Sequence, residues 1–133
     1  MTPQKPWMGG EHSSSFDDIL RELNRKGNFL FSVLTTEEGL PIAFQPENQK
    51  FNQTAAVTAL LHQASQQTRS ILNLDDLDEF TIRTEEKKQL VIRPIQVGGE
   101  RVLLSALIPA DTYYRQLMNQ ALNRVRDLIE LET

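Results

Sequence analysis

The sequence predicts an α+β domain, with helices on both faces of a five-stranded antiparallel sheet, in the order αββαβββα. Three observations lead there. Residues 28–36 (NFLFSVLTT) and 101–108 (RVLLSALI) are apolar on both sides of a strand, so each needs cover on both faces. Two turn signals, Glu37-Glu38-Gly39 and Val97-Gly98-Gly99-Glu100, sit between strand-like runs and mark hairpins. Three further stretches carry helical periodicity, and their places in the chain put one before, one within and one after the strands.

Residues 1–13, with Pro3, Pro6, Gly9 and Gly10, read as a mobile tail that carries Trp7, and 14–133 read as a single domain. Ser13, Ser14 and Ser15 offer N-caps for a first helix over 15–26, with Asp17 and Asp18 suiting its first turn. Phe16, Ile19, Leu20 and Leu23 form its apolar stripe, and Gly27 is placed to end it in a left-handed conformation. The strand over 28–36 turns at Gly39 into a second strand over 40–44. Pro41 cannot donate to a ladder, which predicts that this strand lies at the sheet edge.

The long helix over 52–73 (NQTAAVTALLHQASQQTRSILN) is the unusual element. Val57, Leu60, Leu61, Ala64, Thr68, Ile71 and Leu72 share one arc, which predicts a core-facing stripe. The other flank carries Ala55, Ala56, Ala59, Gln63, Gln66, Gln67 and Ser70, and Arg69 is the one Lys, Arg, Asp or Glu in the segment. Solvent-facing helix surfaces ordinarily carry charges at i,i+4 spacing. A smooth uncharged flank predicts a second buried side, against a partner. The plainer alternative is a polar exposed face, since Gln and Ala are good helix formers.

An acidic link (Asp75, Asp76, Asp78, Glu79) follows and reads as solvated. Phe80, Thr81, Ile82, Arg83 and Thr84 alternate as a strand with one buried face, and 89–95 is another strand. After 101–108, Asp111 is expected to cap a last helix running to about residue 131. There Tyr114, Leu117, Met118, Ala121, Leu122, Val125, Leu128 and Ile129 make an ordinary one-sided apolar stripe.

Composition narrows the function. The 133 residues include 14 Lys plus Arg against 18 Asp plus Glu, a net charge of −4, with no basic run to follow a nucleic-acid backbone. There is no cysteine, so disulfides, thiol catalysis and thiolate-held metals are excluded. No apolar run is long enough for a membrane span, and the N-terminus lacks a signal-peptide core, which predicts a cytoplasmic protein. The two histidines, His12 and His62, have no metal-ligand spacing, and His62 is expected at a partner face or in solvent. No phosphate-cradling glycine motif is present. Arg69, Arg83 and Arg93 are candidates for trans-acting fingers only in principle, as scattered arginines need no such role. The reading is therefore non-enzymatic, with no catalytic residue, no cofactor and no metal.

The order helix–ββ–helix–βββ–helix, with TTEEGLPIAF at its hairpin, an Ala/Leu/Gln-rich middle helix, FTIRT and LVIRP, resembles the roadblock dynein-light-chain family over residues 15–131. Within it the chain is most similar to bacterial MglB-type small-GTPase regulators. The resemblance implies a profilin-like roadblock fold and a homodimer. In that dimer the middle helices pack together and the strand Phe80–Thr81–Ile82–Arg83–Thr84 pairs with its twin. It also implies a scaffold for a Ras-like GTPase, with or without stimulation of GTP hydrolysis. From another class, the layout also fits a small-molecule sensor of PAS-like or profilin-like plan, which should enclose an apolar pocket.

Overall fold

The computed structural model describes residues 11–131, with side chains from residue 15. The elements are α1 (Glu11–Gly27), β1 (Phe31–Thr36), β2 (Pro41–Gln45), α2 (Phe51–Leu72), β3 (Phe80–Arg83), β4 (Gln89–Val97), β5 (Glu100–Ile108) and α3 (Arg115–Glu130). The strands form one antiparallel sheet in the order β2-β1-β5-β4-β3. The order puts β1 and β5 inside the sheet, as their two-sided apolar character requires. Pro41 opens β2 at the sheet edge, opposite an irregularity between Leu34 and Thr35, where its missing N–H costs no ladder bond.

Helices α1 and α3 pack against each other and against one face of the sheet, and α2 lies on the other. The α1/α3 face holds the main core. Leu34, Val91, Leu104, Ala106 and Ile108 from the strands meet Phe16, Leu20, Met118, Val125 and Ile129 from the helices, all fully buried.

Several local expectations are corrected. The first helix begins at Glu11, so Ser13, Ser14 and Ser15 lie inside it and do not cap it; Trp7 lies outside the described residues. Gly27 is its last helical residue, and the left-handed position falls on Asn28 (φ 54°). Gly27 is needed for space instead, because a Cβ there would overlap the Phe29 ring. Asp111 does not cap α3. It sits in the preceding loop with φ 60°, and the helix starts four residues later without a side-chain cap.

Candidate protein-binding surface

The middle helix is rotated relative to its sequence reading. Its inner face is made of Ala55, Thr58, Ala59, His62 and Ser65, all buried against the sheet. The stripe expected to face the core points outward. Leu60, Ile71 and Leu72 are 64%, 80% and 62% exposed, and Val57 is half exposed. Among the described residues nine large apolar side chains are exposed, and five of them (Val57, Leu60, Ile71, Leu72 and Leu74) lie on α2 or the residues just after it. Such clustering makes this face a candidate interaction surface, where scattered exposed leucines would not.

Small inner residues let α2 lie close to the β1–β2 hairpin. Gly39 has φ 98°, and a Cβ placed on it would come 3.2 Å from the Ala59 Cβ and 3.8 Å from the Ala55 carbonyl oxygen. The buried polar groups of this face are satisfied locally. Thr58 Oγ1 donates to the Thr54 carbonyl at 2.8 Å, and Ser65 Oγ donates to the His62 carbonyl at 2.7 Å. His62 Nε2 lies 2.9 Å from a Glu37 carboxylate oxygen, which also accepts from Arg101 at 3.4 Å. The expectation of a solvent or partner position for His62 therefore fails. It is 3% exposed and ties α2 to the hairpin of its own chain.

The residues picked out for a dimer contact divide in the same way. Ala55 and Ala59 are already covered by their own sheet, while Ala56, Gln63, Gln67 and Ser70 are exposed and Gln66 is half-buried. The exposed half of the helix thus combines this uncharged flank with the leucine stripe, and it carries no Asp, Glu, Lys or Arg from end to end. Arg69 is half-buried on the inner side, where Nε donates to Gln66 at 3.3 Å and Nη1 lies 3.7 Å from Asp76.

Beside the helix the sheet is left partly bare. Phe31 stacks on Phe44 with ring centroids 5.6 Å apart, and Phe44 meets Phe51, the first residue of α2, edge-on at 5.3 Å. Toward β4 and β3 the same sheet face carries Leu90 and Ile82, paired across the ladder, and Ile82 is exposed. An open groove of about 310 Å³ between Phe31, Val57, Thr58 and Leu90 joins this area to the helix stripe. The alternation read for β3 holds for its pairing, but its apolar face is not buried within the chain. Phe80 is half-buried, and Thr81, Ile82, Arg83 and Thr84 are exposed. Strand β3 bonds only to β4, so its outer edge is free.

The acidic link is anchored, not simply solvated. Asp78 pairs with Arg115 and lies 3.4 Å from Arg93, while Glu79 accepts from the Tyr114 hydroxyl at 2.6 Å and from Thr81 Oγ1 at 2.8 Å. Asp75 and Asp76 remain exposed. The Arg115 hydrogen bond, helped by the charge of Arg93, holds the Asp78 carboxyl below its ordinary range. Burial, reinforced by the bond to Glu79, raises Tyr114. Arg93 is buried and bonded to Asn119, so it is occupied within its own subunit.

Three groupings escaped sequence reasoning: the outward stripe, the His62–Glu37 contact and the Asp78/Glu79 clasp. Only the first left a signal, in a helix with too much apolar and too little charged surface for one buried side.

Comparison with solved structures finds the same fold in several proteins. MglB of Myxococcus xanthus matches with a TM-score of 0.79 at 18% identity, over 95% of this chain and 96% of that one. The gliding protein MglB from Thermus thermophilus gives 0.76 at 15% identity, over 96% and 98%. A Roadblock/LC7 domain from Streptomyces avermitilis gives 0.71 at 14%, over 86% and 95%. Comparison with curated proteins finds no match. The family model for the Roadblock/LC7 domain matches residues 15–95, the larger part of the chain, and takes in the hairpin, α2, β3 and most of β4. This chain belongs to the Roadblock/LC7 domain family.

Proposed function

We propose that the protein is a non-enzymatic, homodimeric regulator or scaffold for a Ras-like small GTPase, acting in the cytoplasm. The observation that carries the dimer is the outward face of α2, an apolar and uncharged stripe about as long as the helix. A two-fold axis makes an interface self-complementary, each residue meeting in the partner what the partner meets in it. An antiparallel pair of α2 helices centred on Ala64 satisfies this well. Val57 then faces Ile71 of the second copy as an apolar pair, Leu60 faces the smaller Thr68, and Ala64 faces itself, where the backbones approach closely. Ile82 and Leu90 flank the same contact, and the free edge of β3 (Phe80, Thr81, Ile82, Arg83) offers main-chain groups to its twin.

Family membership and the MglB-like fold support a GTPase as the external partner. Such a dimer presents a broad preorganised surface suited to a mobile switch region. Of the three candidate arginines, Arg93 and Arg69 are engaged with Asp78, Asn119, Gln66 and Asp76 of their own chain, while Arg83 is exposed on β3, the strand read as pairing with its twin. Among the described residues no helix is long and apolar enough to cross a membrane. The sensor alternative asks for an apolar chamber, and the space between sheet and helices is instead occupied by Leu20, Leu34, Leu104, Met118 and Ile129.

The test mixes the protein with the small GTPase encoded nearest to it, loaded with GDP or a GTP analogue. Complex formation that depends on the nucleotide, or an altered hydrolysis rate, is expected. The absence of both would overturn the GTPase reading, while sedimentation equilibrium of the protein alone decides the dimer.

A further inference from the structure

The free edge strand β3 is short, and little burial holds it. Of its four residues only Phe80 is half-buried, and its sheet bonds go to β4 alone. Its far end is fixed by a tight turn, where the Lys87 and Lys88 amides donate to Thr84. Its near end is fixed by the residues just ahead of it, Asp78 and Glu79, which reach across to the first turn of α3. Tyr114 and Arg115 grip them there, and Arg93 rises from the middle of β4 to join Asp78 to Asn119 of α3.

A buried arginine is costly unless paired, so this network is a committed piece of the fold. The outer grip is of another kind. The Arg115 side chain is half exposed, and Asp78 is 59% exposed. Exposed ion pairs of this sort contribute little to global stability and are readily exchanged for other partners. We propose that Tyr114 and Arg115, at the start of α3, are positioning residues for the pairing edge. They set the competence of β3 to join a second copy without touching that copy. Anything that draws Arg115 away from Asp78, such as an acidic side chain of a docked protein, then loosens the edge from the opposite face of the sheet. The proposal rests on the dimer reading above for its consequence, though not for its local effect.

The experiment compares wild type, the double variant Tyr114→Phe/Arg115→Gln, and Arg115→Lys by hydrogen exchange and sedimentation equilibrium. In the double variant the β3 amides are expected to exchange at least about tenfold faster, while β1 and β5 amides keep their wild-type rates. Self-association should weaken by a comparable factor, whereas Arg115→Lys, which keeps the charge and leaves Tyr114 in place, should retain most of the wild-type protection and self-association. Wild-type exchange at β3 in the double variant overturns the proposal. So does a loosened β3 with undiminished self-association, which breaks the link between clasp and edge. A β1 and β5 response as large as that of β3 assigns the residues a general structural role and overturns it as well. If wild type is monomeric at every concentration, the dimer reading fails on its own, and the clasp stands or falls by the exchange rates alone.

Discussion

Truncating Leu60 to alanine separates the outward-stripe reading from its alternative. Fully burying a leucine side chain contributes roughly 1.5–3 kcal/mol. Leu60 is 64% exposed in the isolated chain. About 1–2 kcal/mol is therefore left for a partner to realise on each copy, or roughly 2–4 kcal/mol per dimer, since a two-fold axis counts the residue twice. At about 1.4 kcal/mol per factor of ten, the dissociation constant should rise roughly 30- to 700-fold. The monomer should scarcely notice. A mostly exposed side chain leaves no cavity, so the unfolding free energy of dilute protein should stay within about 0.5 kcal/mol of wild type. Sedimentation equilibrium over a concentration series reads the first quantity, and thermal unfolding at low concentration reads the second. An unchanged dissociation constant would refute the interface. A monomer destabilised by about 2–5 kcal/mol, as for a core leucine, would refute the helix orientation itself. By contrast Ala59→Glu tests nothing cleanly, because Ala59 already packs against Gly39 and the new charge would strike the fold before any partner.

Other expectations follow from single contacts. Gly39→Ala places a Cβ against Ala59 at φ 98° and should cost about 1–2 kcal/mol, read as a fall in Tm of several degrees with β1 and β2 otherwise intact. Met118→Ala, at a fully buried position between α3 and the sheet, should cost about 2–5 kcal/mol in urea unfolding, and a smaller loss would mean that the site collapses around the gap. The Asp78 carboxyl is held below its ordinary value of 3.8, so its contribution to stability is present above that value and is lost as pH falls through the lower folded value. Arg115→Gln should therefore remove part of the acid-side loss of Tm, and an identical acid limb in wild type and variant would dismiss the pair. Tyr114 shifts the other way. Its stabilisation holds below the ordinary tyrosine value of 10.0 and is lost as pH rises through the raised folded value, so Tyr114→Phe should flatten the alkaline limb of the same curve.

The fold was legible because its signals are local and redundant. Gly39 and the Gly98-Gly99 pair mark turns, Pro41 marks an edge, and the two-sided apolar runs of β1 and β5 mark the sheet centre. Helix ends were less so. Serines and aspartates that could cap did not, since α1 extends four residues earlier than Ser15 and the chain before α3 spends residues 109–114 crossing toward Glu79. The clasp itself was illegible, because it joins residues far apart in sequence through side chains whose charges look like ordinary surface decoration.

The misread rotation of α2 has a more instructive cause. Assigning the apolar stripe of a helix to its own core assumes that the core is the only apolar environment the helix will meet. Here the inner contact is close, over a hairpin held by Gly39, and closeness selects Ala55, Ala59 and Ser65 in place of leucine. Polar Thr58 and His62 fit the same face because each finds a partner there, Thr58 on its own helix and His62 on Glu37. The large side chains are then free for the far side, where a chain that stayed alone would place charge. Sequence composition registers both faces as uncharged, and periodicity alone cannot say which is which. The distinction lies in volume. The face of small residues is the one that must approach its own backbone, and the face of large residues is the one that has yet to be filled. In α3 the two criteria agree, with Met118, Leu122, Val125 and Ile129 inward and Asn123 and Asp127 outward, so no ambiguity arises there. A helix on which they disagree has two faces built for apolar contact, and on the proposed reading the outer face of α2 is covered by a second copy about Ala64.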